Sequence, residues 1–117
     1  MRVLAAAGAV LVGFPLLVLA QDLPGGDPRW IQRGKAVYET WCMGCHHPTV
    51  EAFGPSFATI ASRRTLEQIE AFIRNPDALA AAYGYRRNAM PRLNLPEEDR
   101  KAVAAYVLRF GSPSAGP

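Results

Sequence analysis

The chain has 117 residues, half of them hydrophobic, with 13 basic and 10 acidic side chains and a formal charge of +3. No dense stretch of lysine and arginine accompanies that small excess, so nothing in the charge pattern indicates a nucleic-acid partner. The length suits one small domain, and a core of that size benefits from a covalent staple.

The first 20 residues have the features of a secretory signal. Arg2 supplies the positive charge, residues 3–19 form an apolar run, and small residues precede a cleavage site after Ala20. Cleavage there leaves 97 residues with 12 basic and 10 acidic side chains, a formal charge of +2. The run is also just long enough to span a bilayer, so a retained membrane anchor is the alternative. Its glycines and proline favour removal.

The pattern C-x-x-C-H, formed by Cys42, Cys45 and His46, is the attachment sequence of a c-type haem. The two thiols add across the haem vinyl groups, and two intervening residues let both sulfurs reach one porphyrin edge. His46 is then held beneath the iron as its proximal ligand. The motif predicts one covalently attached haem c per chain. Because such attachment takes place outside the cytoplasm, it also predicts a periplasmic protein.

Other uses of the two cysteines fit less well. A structural zinc site takes four nitrogen or sulfur ligands, and His47 adjoins His46 too closely to complete one tetrahedron. A thioredoxin-like pair would lie in an alternating strand and helix pattern, which is missing here. A disulfide across so short a loop would stabilise little.

Apolar spacing predicts an all-α fold with three main helices and no strand. The first helix extends from about residue 29 to residue 41 and ends in the haem motif. Its expected inner face comprises Ile31, Gly34, Val37, Tyr38 and Trp41. Residues 47–64 are then predicted to be mostly loop.

The second helix opens with a capping box at residues 65–68 and ends at Asn75-Pro76. Residues 77–95 are predicted to be a connector with a short turn at 78–82. The third helix starts near Pro96 and stops at Gly111.

The chain therefore divides into four predicted segments. Residues 1–20 are the signal peptide and residues 21–28 a flexible lead. Residues 29–111 are the folded domain, and residues 112–117, rich in serine, proline and glycine, are a disordered tail.

Three helices, an early C-x-x-C-H and a late Met90-Pro91 together resemble a class I c-type cytochrome over about residues 29–111. The resemblance implies the class I cytochrome c fold, packed around one haem, in which the first and last helices cross. Gly34 would then allow the close approach of Tyr106. In Gly54-Pro55, the carbonyl of Pro55 would accept a hydrogen bond from His46, orient the imidazole and tune the iron.

Met90 is the expected sixth ligand of the iron. Met43 lies inside the attachment loop and is tethered to the proximal side, whereas Met90 lies on a later loop that can reach the opposite face. An isolated methionine is more often core filler, but the Asn88-Ala89-Met90-Pro91 context favours ligation. His47 is the rival ligand. Coordination by histidine and methionine leaves no open iron position, so we expect no catalytic residue.

Several side chains near Met90 are candidates for secondary roles. Tyr83 and Tyr85 are expected to pack on the haem or bond its propionates, with Arg86 as a further contact. Arg86, Arg87 and Arg92 form a candidate docking rim around the exposed haem edge. The alternative is a solvated loop with one arginine held by a propionate.

These features predict a one-electron carrier that accepts electrons from a dehydrogenase and passes them to a downstream acceptor. One alternative is a haem enzyme or gas sensor with an open distal position, and another is a membrane-anchored haem subunit that keeps its N-terminal helix. The stretch from Cys45 to Val50, followed by Gly54-Pro55, also resembles the cytochrome subunit of p-cresol methylhydroxylase-type flavocytochromes. That resemblance implies a flavoprotein dehydrogenase as partner.

Overall fold

A computed structural model of the protein describes residues 5–10, 13 and 27–111. Within those ranges the chain forms helices joined by loops and contains no strand, which confirms the all-α prediction. None of the helices in the same ranges is long and apolar enough to cross a bilayer. Most of the predicted signal peptide, the cleavage site after Ala20, nearly all of the predicted lead and the predicted tail lie outside the described residues.

The first helix, α1, spans Pro28–Val37. The Asp27 carboxylate caps it by accepting from the backbone N–H two residues on, at 2.9 Å. Proline in the first turn costs the helix no hydrogen bond, because an N–H at that position has no partner within the helix. The chain continues into one π-helical turn, Tyr38–Cys42. The predicted helix therefore does reach the attachment motif, but through a wider final turn.

The second helix, α2, spans Phe57–Arg63, so the prediction of a loop over residues 47–64 is wrong for its last third. Ser56 starts this helix, since its hydroxyl accepts from the backbone N–H of Thr59 at 3.1 Å. The non-helical segment that contains Gly54-Pro55 therefore ends at Ser56. Seven residues are too few to display a clear apolar period, which explains the missed helix.

The third helix, α3, spans Leu66–Arg74 and has the predicted capping box, in which Thr65 and Gln68 each bond the other's backbone N–H. It ends at Asn75 as predicted. The short helix α4, Pro76–Leu79, follows directly, and a turn at 80–84 stands in place of the one predicted at 78–82.

The last helix, α5, spans Glu97–Leu108 and is followed by a 3₁₀ turn, Arg109–Gly111. Pro96 caps the helix instead of beginning it, because its ψ of 149° is extended. Three acidic residues in the first turn face the positive end of the helix dipole. Six consecutive residues, 102–107, are buried, so α5 is covered on every side and forms the centre of the core.

Helices α1 and α5 cross at the predicted pair. A Cβ built on Gly34 would lie 2.7 Å from the Cβ of Tyr106, and closer still to the carbonyl oxygen of Ala102. No side chain larger than hydrogen fits between the two backbones. The ring of Tyr38, on the π-helical turn, then packs against the ring of Tyr106 at a centroid distance of 5.7 Å. The crossing therefore fixes the end of α1 against α5.

Replacing Gly34 by alanine should destabilise the holoprotein, because the new methyl group must move the backbone of α5. Overpacked core positions cost about 1–3 kcal/mol and occasionally more, and we expect a loss at the upper end of that range. Urea unfolding measures it. Gly44→Ala is the matched control, since a Cβ built on Gly44 meets nothing within 4 Å. Equal unfolding free energies for the two variants would contradict the crossing geometry.

Candidate cofactor site

An apolar cleft of about 280 Å³ opens between the attachment motif, three helices and the loop before α5. Helices α2, α3 and α5 supply much of its lining: Phe57, Ile60, Ile69, Phe72, Ile73, Val103 and Val107. Cys42, Cys45, His46 and Met90 line the same cleft. The fold thus gathers the two predicted attachment thiols and both predicted axial ligands around one apolar space.

The two cysteines reach the cleft from one tight turn. They form no disulfide with each other, and Cys42 is half-buried while Cys45 is exposed. The backbone N–H groups of Cys45 and His46 both donate to the carbonyl of Cys42, at 3.1 and 2.9 Å. In the chain before haem attachment, burial raises the pKa of the Cys42 thiol to about 11.

His46 is oriented by the loop that follows it. Its Nδ1 lies 2.7 Å from the carbonyl oxygen of Pro55. Because a carbonyl can only accept, Nδ1 carries the proton and Nε2 is left free to bind a metal. A Cβ built on Gly54 would lie 2.5 Å from the imidazole, so glycine is required there. The ring of Phe57 packs beside the imidazole at a centroid distance of 5.8 Å.

Glu51 anchors that loop and was not among the residues predicted from sequence. Its carboxylate accepts from the hydroxyls of Thr59 and Ser56, at 2.5 and 2.9 Å, and from the backbone N–H of Ser56, at 3.1 Å. These bonds, with that from Thr59 the strongest, hold the pKa of Glu51 below its usual range. The ionised carboxylate thereby closes the loop that presents Pro55 to His46. No local sequence pattern identifies such a contact.

His47, the rival ligand, has another use. Its Nδ1 accepts from the backbone N–H groups of Thr49 and Val50, at 3.1 and 3.0 Å. The side chain is exposed and does not line the cleft. Within the described ranges no three histidine, cysteine or acidic side chains are grouped so as to hold a metal ion, so the zinc interpretation finds no site in that part of the chain.

The two predicted tyrosines line the cleft and pack on α3. Their rings lie 5.3 Å (Tyr83) and 5.7 Å (Tyr85) from the ring of Phe72, measured between centroids. The Tyr83 hydroxyl donates to the carbonyl of Gln68 at 3.1 Å. This bond uses the hydroxyl proton of Tyr83, which leaves its ring as the surface offered to the cleft.

Two arginines of the described chain line the cleft, and one of them, Arg64, was not among the predicted site residues. Arg86 is exposed and does not line the cleft, whereas Arg87 and Arg64 do. Arg64 donates to the carbonyl of Tyr83 at 2.6 Å, and its guanidinium lies 4.2 Å from the centroid of that tyrosine ring. Arg92, the third member of the predicted rim, donates to the side chain of Asn75 at 2.7 Å. Nothing in the local sequence distinguishes Arg64 from its exposed neighbour.

These residues fit a covalently bound haem. Two thiols, an imidazole with a free Nε2 and a thioether share one cleft, and Arg64 and Arg87 in its lining would offer positive charge to the propionates. Two further aromatic side chains in the lining, those of Trp41 and Phe53, are 57% and 79% exposed. A large flat apolar group in the cleft would cover such surface.

The cytochrome c family model matches residues 31–110. Among solved structures, the chain is similar to a cytochrome c from Rhodothermus marinus, with a TM-score of 0.61 and 23% identity over 73% of this chain and 79% of that chain. At that identity the likeness shows the fold alone. No curated protein matches the chain. Since the family model covers most of the chain, and the fold and cleft agree with it, this protein belongs to the cytochrome c family as a class I c-type cytochrome, an electron-carrying protein with covalently bound haem c.

Proposed function

We propose that this protein is a periplasmic one-electron carrier whose haem iron is bound axially by His46 and Met90. The observation that carries the proposal is the presence of both side chains in the cleft that also contains Cys42 and Cys45. The bond between His46 and Pro55 supports it, because it leaves Nε2 as the only coordinating atom of the imidazole. Axial coordination by imidazole and thioether raises the reduction potential relative to two imidazoles.

Reversible one-electron exchange between ferrous and ferric iron is the chemistry that haem c supplies when bound. The chain contributes attachment, orientation and shielding. Cys42 and Cys45 hold one edge of the group, and Pro55 keeps the imidazole of His46 in one tautomer and one orientation. The apolar lining from α2, α3 and α5 would shield one side of the bound group from water. We assign no catalytic residue, because a haem enzyme or gas sensor would need an open distal position, and Met90 would occupy that position.

The predicted signal segment supports export, and a protein that retains it as an anchor is the alternative. The proposed partners are a dehydrogenase as electron donor and a second redox protein as acceptor. The resemblance of residues 45–55 to a flavocytochrome subunit supports a flavoprotein as the donor. The exposed side chains of Arg86 and Arg87, four and three residues before Met90, supply the positive charge of the proposed docking rim.

Replacing Met90 by alanine should open a coordination position on the iron. We expect oxidised Met90→Ala holoprotein to bind cyanide at least about tenfold more tightly than the unaltered protein, and its reduction potential to fall, because the thioether favours reduced iron. Cyanide titration and a potentiometric titration measure the two effects. Met43→Ala is the control, since Met43 is 58% exposed and does not line the cleft. Cyanide affinity that is the same in both variants would show that Met90 is not the ligand.

Replacing Arg86 and Arg87 together by glutamate should slow electron transfer to an anionic oxidant. With ferricyanide as the probe, we expect the second-order rate at low ionic strength to fall about tenfold, because the steering charge is reversed. The same change at Arg63 and Arg109, both exposed and outside the cleft lining, should have a smaller effect. Arg64 is unsuitable as a control because it bonds Tyr83. Equal losses at both pairs, or a rate in the unaltered protein that does not depend on salt, would overturn the docking rim.

A further inference from the structure

The loop that carries Met90 is tied on both sides to one corner of the fold, residues 75–77, where α3 ends and α4 begins. On the N-terminal side, the Asn88 side-chain amide donates to the Asp77 carboxylate at 2.7 Å. On the C-terminal side, Arg92 donates to the side-chain oxygen of Asn75 at 2.7 Å. The two ties lie two residues before and two residues after Met90. The methionine is therefore bracketed symmetrically along the chain.

Asn88 also clamps Met90 directly. Its side-chain oxygen accepts from the backbone N–H of Met90 at 3.0 Å, and its side-chain nitrogen donates to the Met90 carbonyl at 2.9 Å. An asparagine amide has two N–H donors, and here one goes to Asp77 and the other to Met90. Aspartate could not replace it, because it has no donor and would place a second negative charge beside Asp77.

The ties matter because side chains supply the hydrogen bonds that hold this loop, alongside the packing of Leu93 and Leu95 in the hydrophobic core. In the described part of the chain, residues 86–95 make no backbone–backbone hydrogen bond. Besides the Asn88 and Arg92 ties, a bond from Arg100 to the carbonyl of Leu95, at 2.6 Å, holds the end of the loop. The conformation of the backbone at Met90 therefore depends on side-chain bonds.

The corner is buried at Pro76 and directly follows the helix that lines one side of the cleft. Pro76 is among the most completely buried residues of the described chain. The backbone N–H of Asn75 donates to the carbonyl of Ala71 in α3 at 3.1 Å, which fixes the corner to the helix end. The same helix presents Phe72 and Ile73 to the cleft. The loop is thus anchored to the element that forms one side of the proposed haem site.

We propose that Asn88 and the Asn75–Asp77 corner are the positioning residues of the sixth ligand. They keep the Met90 backbone where its thioether faces the cleft, and so oppose displacement of the sulfur by other ligands. The proposal rests on ligation by Met90, as proposed above. It predicts that loss of these hydrogen bonds makes the sixth ligand easier to displace than does loss of apolar contacts in the cleft lining.

Imidazole is a suitable probe, because it competes with the thioether for oxidised iron. In the holoprotein, Asn88→Ala removes three hydrogen bonds and should increase imidazole affinity about tenfold or more. Asp77→Ala and Arg92→Ala each remove one bond and should give smaller increases. Asn88→Asp should resemble Asn88→Ala. Arg33→Ala is the matched control, because it removes two exposed bonds between α1 and α5, to Asp99 at 2.6 Å and to Glu98 at 3.0 Å, without touching the loop. It should leave imidazole affinity unchanged, even where its unfolding free energy falls as much as that of Asn88→Ala.

Met90→Ala in the same titration separates the two proposals. Tight imidazole binding by Met90→Ala combined with unaltered affinity in Asn88→Ala would overturn the positioning role and leave Met90 as the ligand. Unaltered affinity in Met90→Ala would overturn the ligation and the positioning role with it. An equal rise in Asn88→Ala and Arg33→Ala would show that general destabilisation, and not positioning, controls access to the iron. Should Asn88→Ala fail to retain haem, the single-bond variants Asp77→Ala and Arg92→Ala decide the question against the same control.

Discussion

The close approach of α1 to α5 at Gly34 is the constraint on which the rest of the structure depends. Helix α1 leads directly into the turn that holds Cys42 and His46, while α5 presents Val103 and Val107 to the cleft. The crossing therefore sets the position of the attachment motif relative to the apolar wall. A bulkier residue at Gly34 would separate the two elements and shift both sides of the cofactor site.

Aromatic packing extends this frame to the loop that orients His46. The ring of Phe57, the first residue of α2, lies 5.0 Å from the ring of Tyr38 and 6.2 Å from that of Tyr106, measured between centroids. Glu51 then bonds the residues at the start of the same helix. The imidazole of His46 is therefore positioned by the adjoining Cys45, by the ring of Phe57 and by the loop that Glu51 closes. The loop that carries Met90 is held instead by side-chain hydrogen bonds, so under the proposed coordination ligand exchange should begin at this loop.

Local sequence signals predicted the elements that local physics determines. The capping box of α3, the stop at Asn75-Pro76 and the helix that leads into C-x-x-C-H all follow from short-range hydrogen bonding and apolar period. The helix crossing followed from a family resemblance at Gly34 and is confirmed by its geometry. Helix α2 has only seven residues, too few to show a comparable apolar period, and the sequence analysis did not predict it.

The cofactor site was predictable only in part, because several of its contacts join residues far apart in sequence. Arg64 meets Tyr83 across 19 positions, and Asn88 meets Asp77 across 11. No pattern within a short window distinguishes these side chains from exposed ones of the same type. For the same reason the sequence did not indicate that Arg64 and Arg87 line the cleft. Contact between a propionate and Arg86, which is exposed, stays a prediction. The ligand assignments to His46 and Met90 remain predictions that the cleft geometry supports.

The absorption spectrum of the oxidised holoprotein tests the central claim most directly. Coordination of ferric iron by the thioether of Met90 opposite the imidazole of His46 predicts a weak sulfur-to-iron charge-transfer band at the red end of the spectrum, together with a low-spin, six-coordinate signature. A low-spin spectrum without that band, or a high-spin spectrum of five-coordinate iron, would contradict the axial pair. Either result would leave the protein a cytochrome c with a different distal side.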